Sequence, residues 1–556
     1  MTAFSLFHRP TFDAKVSSIS SLVQQRALLS SMFAFSARFT DVSQNHTAAQ
    51  CNIPSHEHFR KIAEESVDQA LRECLDDSPP LCVLQALILT TFQQLATGVR
   101  GRSWRALHTC VSLAYDLHLH LVDKNTKKRS PNNTEFHLLE EKRRSWWTIW
   151  EFDVFASSIR KLPTAIDWTN NETWLPIDNQ LWFSNTAARS CTLNPDPAVA
   201  WKELEKSGNR SPQAWFIVVN ALARCIHMVA FPQMYSKNEN SNSGDDSLSE
   251  SDAMQAAPPN LDIPANSLYC FSAALPDNLS YSGEFLNFST GSSLQTDSAK
   301  HGIHIMTQLC RFMLHHQRVF NSTYRQLGVV DSSSSEHSED AAPTSMLDAL
   351  DKAAWNVYLT AASEIVTIVR NSSPKHVRYV NPFLSSTIWL AAAAQIISRK
   401  IGPHIVNRRV AESNLDLLQM NLDAYVSFWG VPSTLQQKLK VLNARLDTIR
   451  PQVPNSESSK VQERQSQQTS SSSMVSQVQQ PANSNNGVQN GTTIAIQYPP
   501  ISQQAFAPSM NTAQGLNLDV WPAPQPFNFG DGMIPELTSN MWEYGLDELL
   551  MYGGFE

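Results

Sequence analysis

Ionisable side chains that could do chemistry crowd into one stretch of the chain, around the neighbouring pair Glu140 and Glu141. Two carboxyl groups suggest acid–base catalysis, in which one group gives a proton and the other takes one. Adjacent residues of a helix point in different directions, however, so these carboxylates do not converge on one reacting atom. Arg144 follows Glu140 by four residues, which is the spacing of an ion pair along one helix face. We therefore expect Glu140 and Arg144 to brace the exposed side of a helix.

Histidine and cysteine are the other residue types that could supply a site. His118 and His120 are two residues apart and face different sides of a helix, so they do not make the usual metal-binding pair. None of the eight cysteines forms a Cys-x-x-Cys pair, which excludes a six-cysteine zinc cluster or an ordinary zinc ribbon within this sequence. The sequence also lacks the usual serine-hydrolase, phosphate-binding and zinc-protease motifs. We therefore predict no catalytic residue, no metal ligand and no enzyme activity.

Seven of the fourteen tryptophans lie between residues 98 and 183. The helical spacing of Trp146 and Trp150 favours a packed core, and the alternative is an aromatic ligand pocket. Arg143 lies on the Trp146 face, where a buried cation needs an acidic partner or a stacked ring. We expect a structural Arg143 that binds near Asp153 or to another helix.

Two long helices must position these residues. The first covers 101–120, where Trp104, Leu107 and Val111 recur three or four residues apart. A polar loop follows, and the second helix starts near residue 137 and carries the Glu, Arg and Trp residues. An irregular descent then leads to Pro176.

This stretch resembles the fungal-specific transcription factor domain, the regulatory middle region of fungal zinc-cluster transcription factors. The resemblance rests on the order Gly-Trp, Leu-His, Glu-x-Arg-Arg-x-Trp-Trp, Asp, Pro and Leu-Pro. The matching residues are Gly101, Trp104, His120, Glu141, Arg143, Arg144, Trp146, Trp147, Asp153, Pro163, Leu175 and Pro176. His118 stands where the family usually has a glycine that ends the helix in a left-handed conformation, and Leu162 interrupts the usual Gly-Arg-Pro.

The N-terminal phrase Phe7-His8-Arg9-Pro10-Thr11-Phe12 also resembles the start of this family's regulatory domain. Family members usually have a zinc cluster and a linker before it. The sequence is therefore expected to be either a regulator without its own DNA-binding module or an N-terminally shortened chain. The resemblance implies zinc only if such a missing N-terminal cluster exists, and we expect no cofactor in the sequence at hand.

Charge is unevenly distributed along the 556 residues. The net charge is −8, and residues 451–556 contribute nine acidic and two basic residues, which leaves the first 450 residues close to neutral. A near-neutral body gives little electrostatic attraction to DNA, so we expect only weak DNA binding without sequence preference. Residues 465–518 contain no charged residue, and residues 519–556 combine seven acidic residues with aromatic anchors and no basic residue.

The remaining sequence predicts an all-α fold with a sizeable core, since 42% of the residues are hydrophobic and no strand pattern is visible. We expect one multi-helix regulatory domain over 1–450, with a disordered, mobile acidic insertion over 238–299 and a loop over 328–345. A low-complexity linker over 451–518 and a disordered acidic-aromatic activation segment over 519–556 follow. Further helices are expected at 18–39, 55–76, 81–97, 212–231, 301–326, 346–370, 383–401, 409–429 and 433–449.

These features favour a transcriptional regulator, most simply an activator, in the nucleus. Its expected partners are coactivators, and DNA either indirectly or through a missing module. The resemblance is compatible with a small-molecule inducer and with a homodimer. No membrane association is expected, because no apolar run looks long enough to span a bilayer. If the activation segment becomes helical, its anchors are Trp542, Leu546, Leu549, Leu550 and Tyr552. The alternative is a non-transcriptional helical module that binds a small molecule or another protein.

Overall fold

Local sequence signals set many helix ends in the computed structural model. Ser55 and Asn407 accept hydrogen bonds from backbone N–H groups of the first turn that follows each of them. Pro197 and Pro212 occupy the first turn of their helices, where a missing N–H group costs nothing. Gly430 ends a helix with a φ of 72°, a left-handed conformation that glycine adopts without strain.

The structure describes residues 5–40, 54–124, 133–160, 162–231, 261–289, 291–326, 344–401 and 407–448. Its helices are α1 (Phe12–Ser18), α2 (Leu22–Thr40), α3 (His56–Glu73), α4 (Leu81–Ala96), α5 (Gly101–Asp116), α6 (Asn133–Arg160), α7 (Asn179–Phe183), α8 (Pro197–Ser207), α9 (Pro212–Ala230), α10 (Asp262–Ala274), α11 (Ser292–Gln326), α12 (Thr344–Arg370), α13 (Ser385–Ile401), α14 (Arg408–Trp429) and α15 (Thr434–Thr448). Short 3₁₀ turns lie at Arg9–Thr11, Leu119–Leu121, His376–Arg378 and Pro382–Leu384.

The all-α prediction is confirmed for these ranges. They contain no β-strand, and their only β-type pairings are two isolated bridges, Trp174 with Thr192 and Leu286 with Ser372. The predicted helices agree closely except near the N-terminus, where the helix expected at 18–39 is preceded by the separate α1, and at α11, which begins nine residues earlier than predicted.

A hydrophobic cluster of buried side chains extends from Leu6 to Leu446, and the described residues fall within one compact unit. Helix α4 lies in its interior, because nearly every residue of α4 is buried, as its all-round apolar sequence predicts. Helices α6 and α9 pack on each other, and α11 packs on both α9 and α12. Residues from before and after the acidic insertion therefore share one core.

The structure narrows the insertion that was predicted over 238–299. Residues 261–289 form α10 and a loop, and Phe271 of α10 is fully buried with its ring centroid 5.7 Å from that of Trp215. Leu286 exchanges backbone hydrogen bonds with Asn371 and Ser373 at the end of α12. Apolar anchors thus dock this half on the body despite its acidic composition, and residues 232–260 lie outside the described ranges.

Helix α9 corrects the expectation that no apolar run could cross a membrane. By length and composition alone, α9 is the one described helix that is long and apolar enough to cross a membrane. Most of α9 is buried inside the protein, however, and the core helix of a soluble protein can be equally long and apolar.

Candidate functional site

Helix α6 carries most of the motif residues into the interior. Trp146, Trp147 and Trp150 are buried to 2% exposure or less, in agreement with the core interpretation of these rings. The indole Nε1–H of Trp147 donates to the backbone carbonyl of Trp174 at 2.7 Å. The descending segment that contains Trp174 is therefore fastened directly to α6.

Arg143 forms a two-pronged ion pair with Asp123, a residue the sequence analysis did not single out. Its Nε and one terminal nitrogen donate to the two Asp123 carboxylate oxygens at 2.8 and 2.6 Å. Its other terminal nitrogen donates to Glu140 at 3.1 Å, and its guanidinium carbon lies 5.4 Å from the Trp174 ring centroid. Asp123 also accepts the backbone N–H of Trp174 at 2.9 Å, so one carboxylate joins the loop after α5, helix α6 and the descent.

Arg144 makes the second half of the same network. Its Nε donates to Glu140 at 2.9 Å, which is the predicted i,i+4 pair. The pair does not brace an exposed surface as expected, because Glu140 and Arg144 are 0% and 1% exposed. The reason is the descending chain: Arg144 donates to the carbonyl of Ile177 at 2.6 Å and stacks over Trp182, which covers this face of α6.

The network of Asp123, Glu140, Arg143 and Arg144 balances two carboxylates against two guanidinium groups, and we call it the α6 ion network. Burial lowers the pKa of Arg143, but its hydrogen bonds and charge pairing with Asp123 and Glu140 outweigh burial and raise that pKa above its ordinary value. A buried ion pair with this many hydrogen bonds mainly fixes geometry, since its desolvation offsets much of its attraction. The network therefore holds the descent in register on α6.

Arg143 does not bind near Asp153, which was one of the two locations expected for its partner. Ten residues of α6 separate them, a rise of about 15 Å along a helix. Asp153 instead accepts the backbone N–H groups of Ala165 and Ile166 at 3.1 and 2.8 Å, together with the Ser157 hydroxyl. It therefore shapes the loop that leaves α6, on which Pro163 is exposed.

The N-terminal phrase is tied to Glu141, the neighbour of Glu140. The backbone N–H of His8 donates to Glu141 at 2.9 Å, and Lys15 forms an ion pair with the same carboxylate. The His8 ring lies between the Thr11 hydroxyl at 2.9 Å and the Trp182 carbonyl at 3.1 Å. Glu140 and Glu141 thus serve two different structural connections, which explains why both acids are present without converging.

The other motif residues take structural positions. Gly101 begins α5, and Trp104 lies under the guanidinium of Arg160 at 5.2 Å. His120 is buried with its ring centroid 6.0 Å from that of Trp146, and Leu175 and Pro176 are buried in the descent. His118 adopts the left-handed conformation, with φ 52°, that the family usually gives to glycine, so α5 ends at Asp116.

Within the described ranges, no three His, Cys, Asp or Glu side chains are grouped as metal ligands would be. The rings of His118 and His120 lie 6.3 Å apart. The activation-segment anchors Trp542, Leu546, Leu549, Leu550 and Tyr552 lie outside the described residues.

A cavity opens further along α6, and we call it the Glu151 cavity. It contains about 780 Å³ of empty space, part of it open to solvent. Helices α6, α9 and α11 and the segment 381–390 form its wall. The wall is mostly apolar, and Phe155 and Phe383 stack in it with ring centroids 3.9 Å apart.

Glu151 is the acidic group of this wall and is 3% exposed. Its Oε1 accepts a hydrogen bond from the Asn381 amide at 2.7 Å, whereas Oε2 has no hydrogen-bond partner among the described residues. Burial raises the pKa of Glu151 to about 8, and the Asn381 hydrogen bond lowers it only in part. Glu151 was not singled out from the sequence. Its signal in the sequence was an acidic residue inside the apolar run Trp-Trp-Thr-Ile-Trp-Glu-Phe.

A mostly apolar cavity with a few polar groups in its wall is typical of a small-molecule binding site. Residues 2–257 match the family described as the fungal specific transcription factor domain. The search of curated proteins and the search of solved structures each found no match.

Residues 2–257 therefore match a fungal specific transcription factor domain, as the motifs predicted, and that family is a regulatory family and not an enzyme family. The match includes α1 to α9, the α6 ion network and the Glu151 side of the cavity. Helices α10 to α15 lie beyond residue 257, so the extension of the regulatory domain to residue 450 stays a prediction.

Proposed function

We propose that this protein activates transcription in the nucleus, with the helical body over 1–450 as its regulatory domain. The observation that carries the proposal is the fungal specific transcription factor domain at residues 2–257. The α6 ion network supports it, because the family motif residues on α6 serve to hold the regulatory domain together. Homodimer formation and response to an inducer belong to the same proposal.

Activation is assigned to the acidic-aromatic segment over 519–556. Seven carboxylates keep the segment solvated, while its aromatic and aliphatic side chains are suited to a hydrophobic groove of a coactivator. In a helix, Trp542, Leu546 and Leu549 would share one face. Residues 465–518, which carry no charge, would serve as the linker to the body.

DNA contact is assigned to a partner or to a module other than the region described above. The near-neutral first 450 residues provide little counterion release, and the cysteine spacing does not fit a zinc cluster. Promoter occupancy would then depend on that partner or module.

The test uses the full chain fused to an unrelated DNA-binding domain and a reporter gene with the matching site. We expect the fusion to activate the reporter, and the combined change Trp542→Ala, Leu546→Ala and Leu549→Ala to reduce activation at least tenfold, because it removes the apolar anchors and keeps every charge. Matched polar substitutions in 465–518, such as Gln479→Asn with Gln480→Asn, serve as the control and should leave activation unchanged. An expressed, nuclear fusion that stays silent would show that the protein is not an activator.

A further inference from the structure

The Glu151 cavity holds a buried carboxyl group that has no basic partner among the residues that the structure describes. No Lys or Arg forms an ion pair with Glu151 in the ranges that the structure describes, and its one hydrogen bond comes from the neutral Asn381 amide. An uncompensated buried carboxyl group is unfavourable, since burial removes its water without replacing those hydrogen bonds. The contrast with the α6 ion network on the same helix is direct, because there each carboxylate faces a guanidinium group.

The walls around Glu151 define what could approach it. Phe155 and Phe216 contribute aromatic rings, and Met306 and Met313 of α11 contribute thioethers, which adapt to irregular apolar shapes. Aromatic faces also attract a cation. A compact apolar body that carries one positive charge therefore complements both the wall and its acid.

Arg224 lies near Ser158, further along the wall from Glu151. Arg224 donates to the backbone carbonyl of Leu162 at 2.9 Å and approaches the hydroxyl of Ser158. Ser158 follows Glu151 by seven residues, about 10 Å along α6. Arg224 and His227, both on α9, are the other ionisable groups among the lining residues, and the lining residues from α11 and 381–390 include none. An ammonium group beside Glu151 would thus be well separated from the Arg224 guanidinium.

We propose that the Glu151 cavity binds a small apolar amine, whose ammonium group donates to Glu151 and whose hydrocarbon body packs on the Phe and Met side chains. The cavity is built from α6 and α9 on one side of the acidic insertion and from α11 and 381–390 on the other. An occupant therefore contacts both parts of the body. Its use as the inducer of transcription rests on the proposed function above, whereas the binding itself does not.

The bound state has a defined proton balance. At neutral pH the raised pKa keeps Glu151 mostly protonated. When the ammonium ion binds, the carboxyl group becomes a carboxylate and its proton goes to solvent, so about one proton is released per site. A neutral ligand of the same shape would release none.

The experiment titrates the purified full chain at pH 7 with phenethylamine and isopentylamine, and with 2-phenylethanol and 3-methylbutanol as their neutral counterparts. Calorimetry in two buffers of different ionisation enthalpy measures both affinity and proton release. We expect each amine to bind at least tenfold more tightly than its alcohol, with proton release. Equal affinities, or binding of none of the four compounds, would overturn the proposal.

Three substitutions test the location of the site. Glu151→Gln keeps the shape of the side chain and should weaken amine binding at least tenfold, abolish proton release and leave alcohol binding within twofold. Glu364→Gln changes an exposed acid on α12 and is the control. It should alter neither amine binding nor proton release. Ala223→Met adds volume in the cavity wall and should weaken amines and alcohols alike. Amine binding that survives Glu151→Gln would refute the assignment to this carboxyl group.

The reporter fusion separates this inference from the proposed function. A fusion that activates transcription while the chain binds no amine would overturn the cavity proposal alone. A silent reporter with amine binding intact would overturn the proposed function alone.

Discussion

Asp123 and Arg143 show why the loss of a single residue of the α6 ion network is costly for stability. Both side chains are buried, and each makes several hydrogen bonds to the other or to neighbouring segments. Removal of one partner leaves the other charge in a medium that solvates it poorly. The opposite holds for ion pairs on the surface, where water replaces the lost partner.

We expect Arg143→Met to lower the free energy of unfolding by about 3–5 kcal/mol, because it leaves the Asp123 carboxylate buried without its cation. The double variant Arg143→Met with Asp123→Asn should recover part of this loss, since it removes the stranded charge. Urea unfolding of the purified full chain measures both. Arg102→Met, at a side chain that is 64% exposed, is the control and should change stability by less than about 1 kcal/mol. If Arg143→Met were as mild as this control, the network would not be structural.

The raised pKa of Glu151 predicts that stability falls as the pH rises, which is opposite in sign to the effect of a salt-bridged carboxylate. The pKa of Glu151 is about 8 in the folded protein and near the ordinary value of 4.5 in the unfolded chain. The unfolded state therefore loses its proton first, and the contribution of Glu151 to stability falls as the pH rises from about 4.5 to about 8. The loss can approach about 1.4 kcal/mol per pH unit and levels off above that window.

Glu151→Gln does not titrate, so its stability relative to the wild type should increase from pH 5.5 to pH 8 and then stay constant. Urea unfolding at pH 5.5, 7 and 8.5 measures the difference. Arg224 and His227 line the same cavity and are present in both proteins, so neither residue distinguishes the variant from the wild type. A difference that does not vary with pH would mean that the folded protein does not raise the pKa of Glu151.

Helix α10 is the element whose role changes most once the structure is known. Composition alone placed it in a mobile insertion, because residues 238–299 contain nine acidic and no basic residues. Composition averages over a segment, however, whereas docking needs only a few apolar side chains at helical spacing. Leu268 and Phe271 supply them, and both are buried.

We expect Phe271→Ala to lower the free energy of unfolding by about 3–5 kcal/mol, because it leaves a cavity against Trp215. Tyr269 lies two residues earlier on the same helix and is 77% exposed. Tyr269→Ala is therefore the matched control, with a change of less than about 0.5 kcal/mol. Thermal unfolding measures both variants. If Phe271→Ala and Tyr269→Ala had equally small effects, α10 would not be docked on the body and would belong to the mobile insertion.

At the scale of the whole molecule, the core joins chain segments that are distant in sequence. Helix α9 packs on α11, and Asn381 bonds to Glu151 across 230 residues. Helices that each present one apolar face need such partners, because an isolated amphipathic helix leaves that face in water. The two sides of the acidic insertion are therefore expected to be stable only together.

A specific protease site placed between residues 240 and 250 tests this expectation. After cleavage, the two fragments should remain associated in size-exclusion chromatography and should unfold in one transition, because the core between them is intact. A chain with the same inserted site but no protease treatment is the control. Fragments that separate and refold independently would show two domains instead of one.

The sequence by itself determined the all-α fold, most helix positions and the resemblance of the first half to its family, because helical periodicity, capping residues and a motif of fixed order are local signals. It also indicated that the tryptophans are core residues, since Trp146 and Trp150 recur on one helix face. The pairing of Arg143 with Asp123, the burial of Glu140 with Arg144, and the approach of Asn381 to Glu151 depended on tertiary structure. Each of these contacts joins segments separated by a loop or by hundreds of residues, and no local periodicity encodes which segment will cover a given helix face. The Glu151 cavity belongs to this second group, because its shape is the space left when four separate segments pack together.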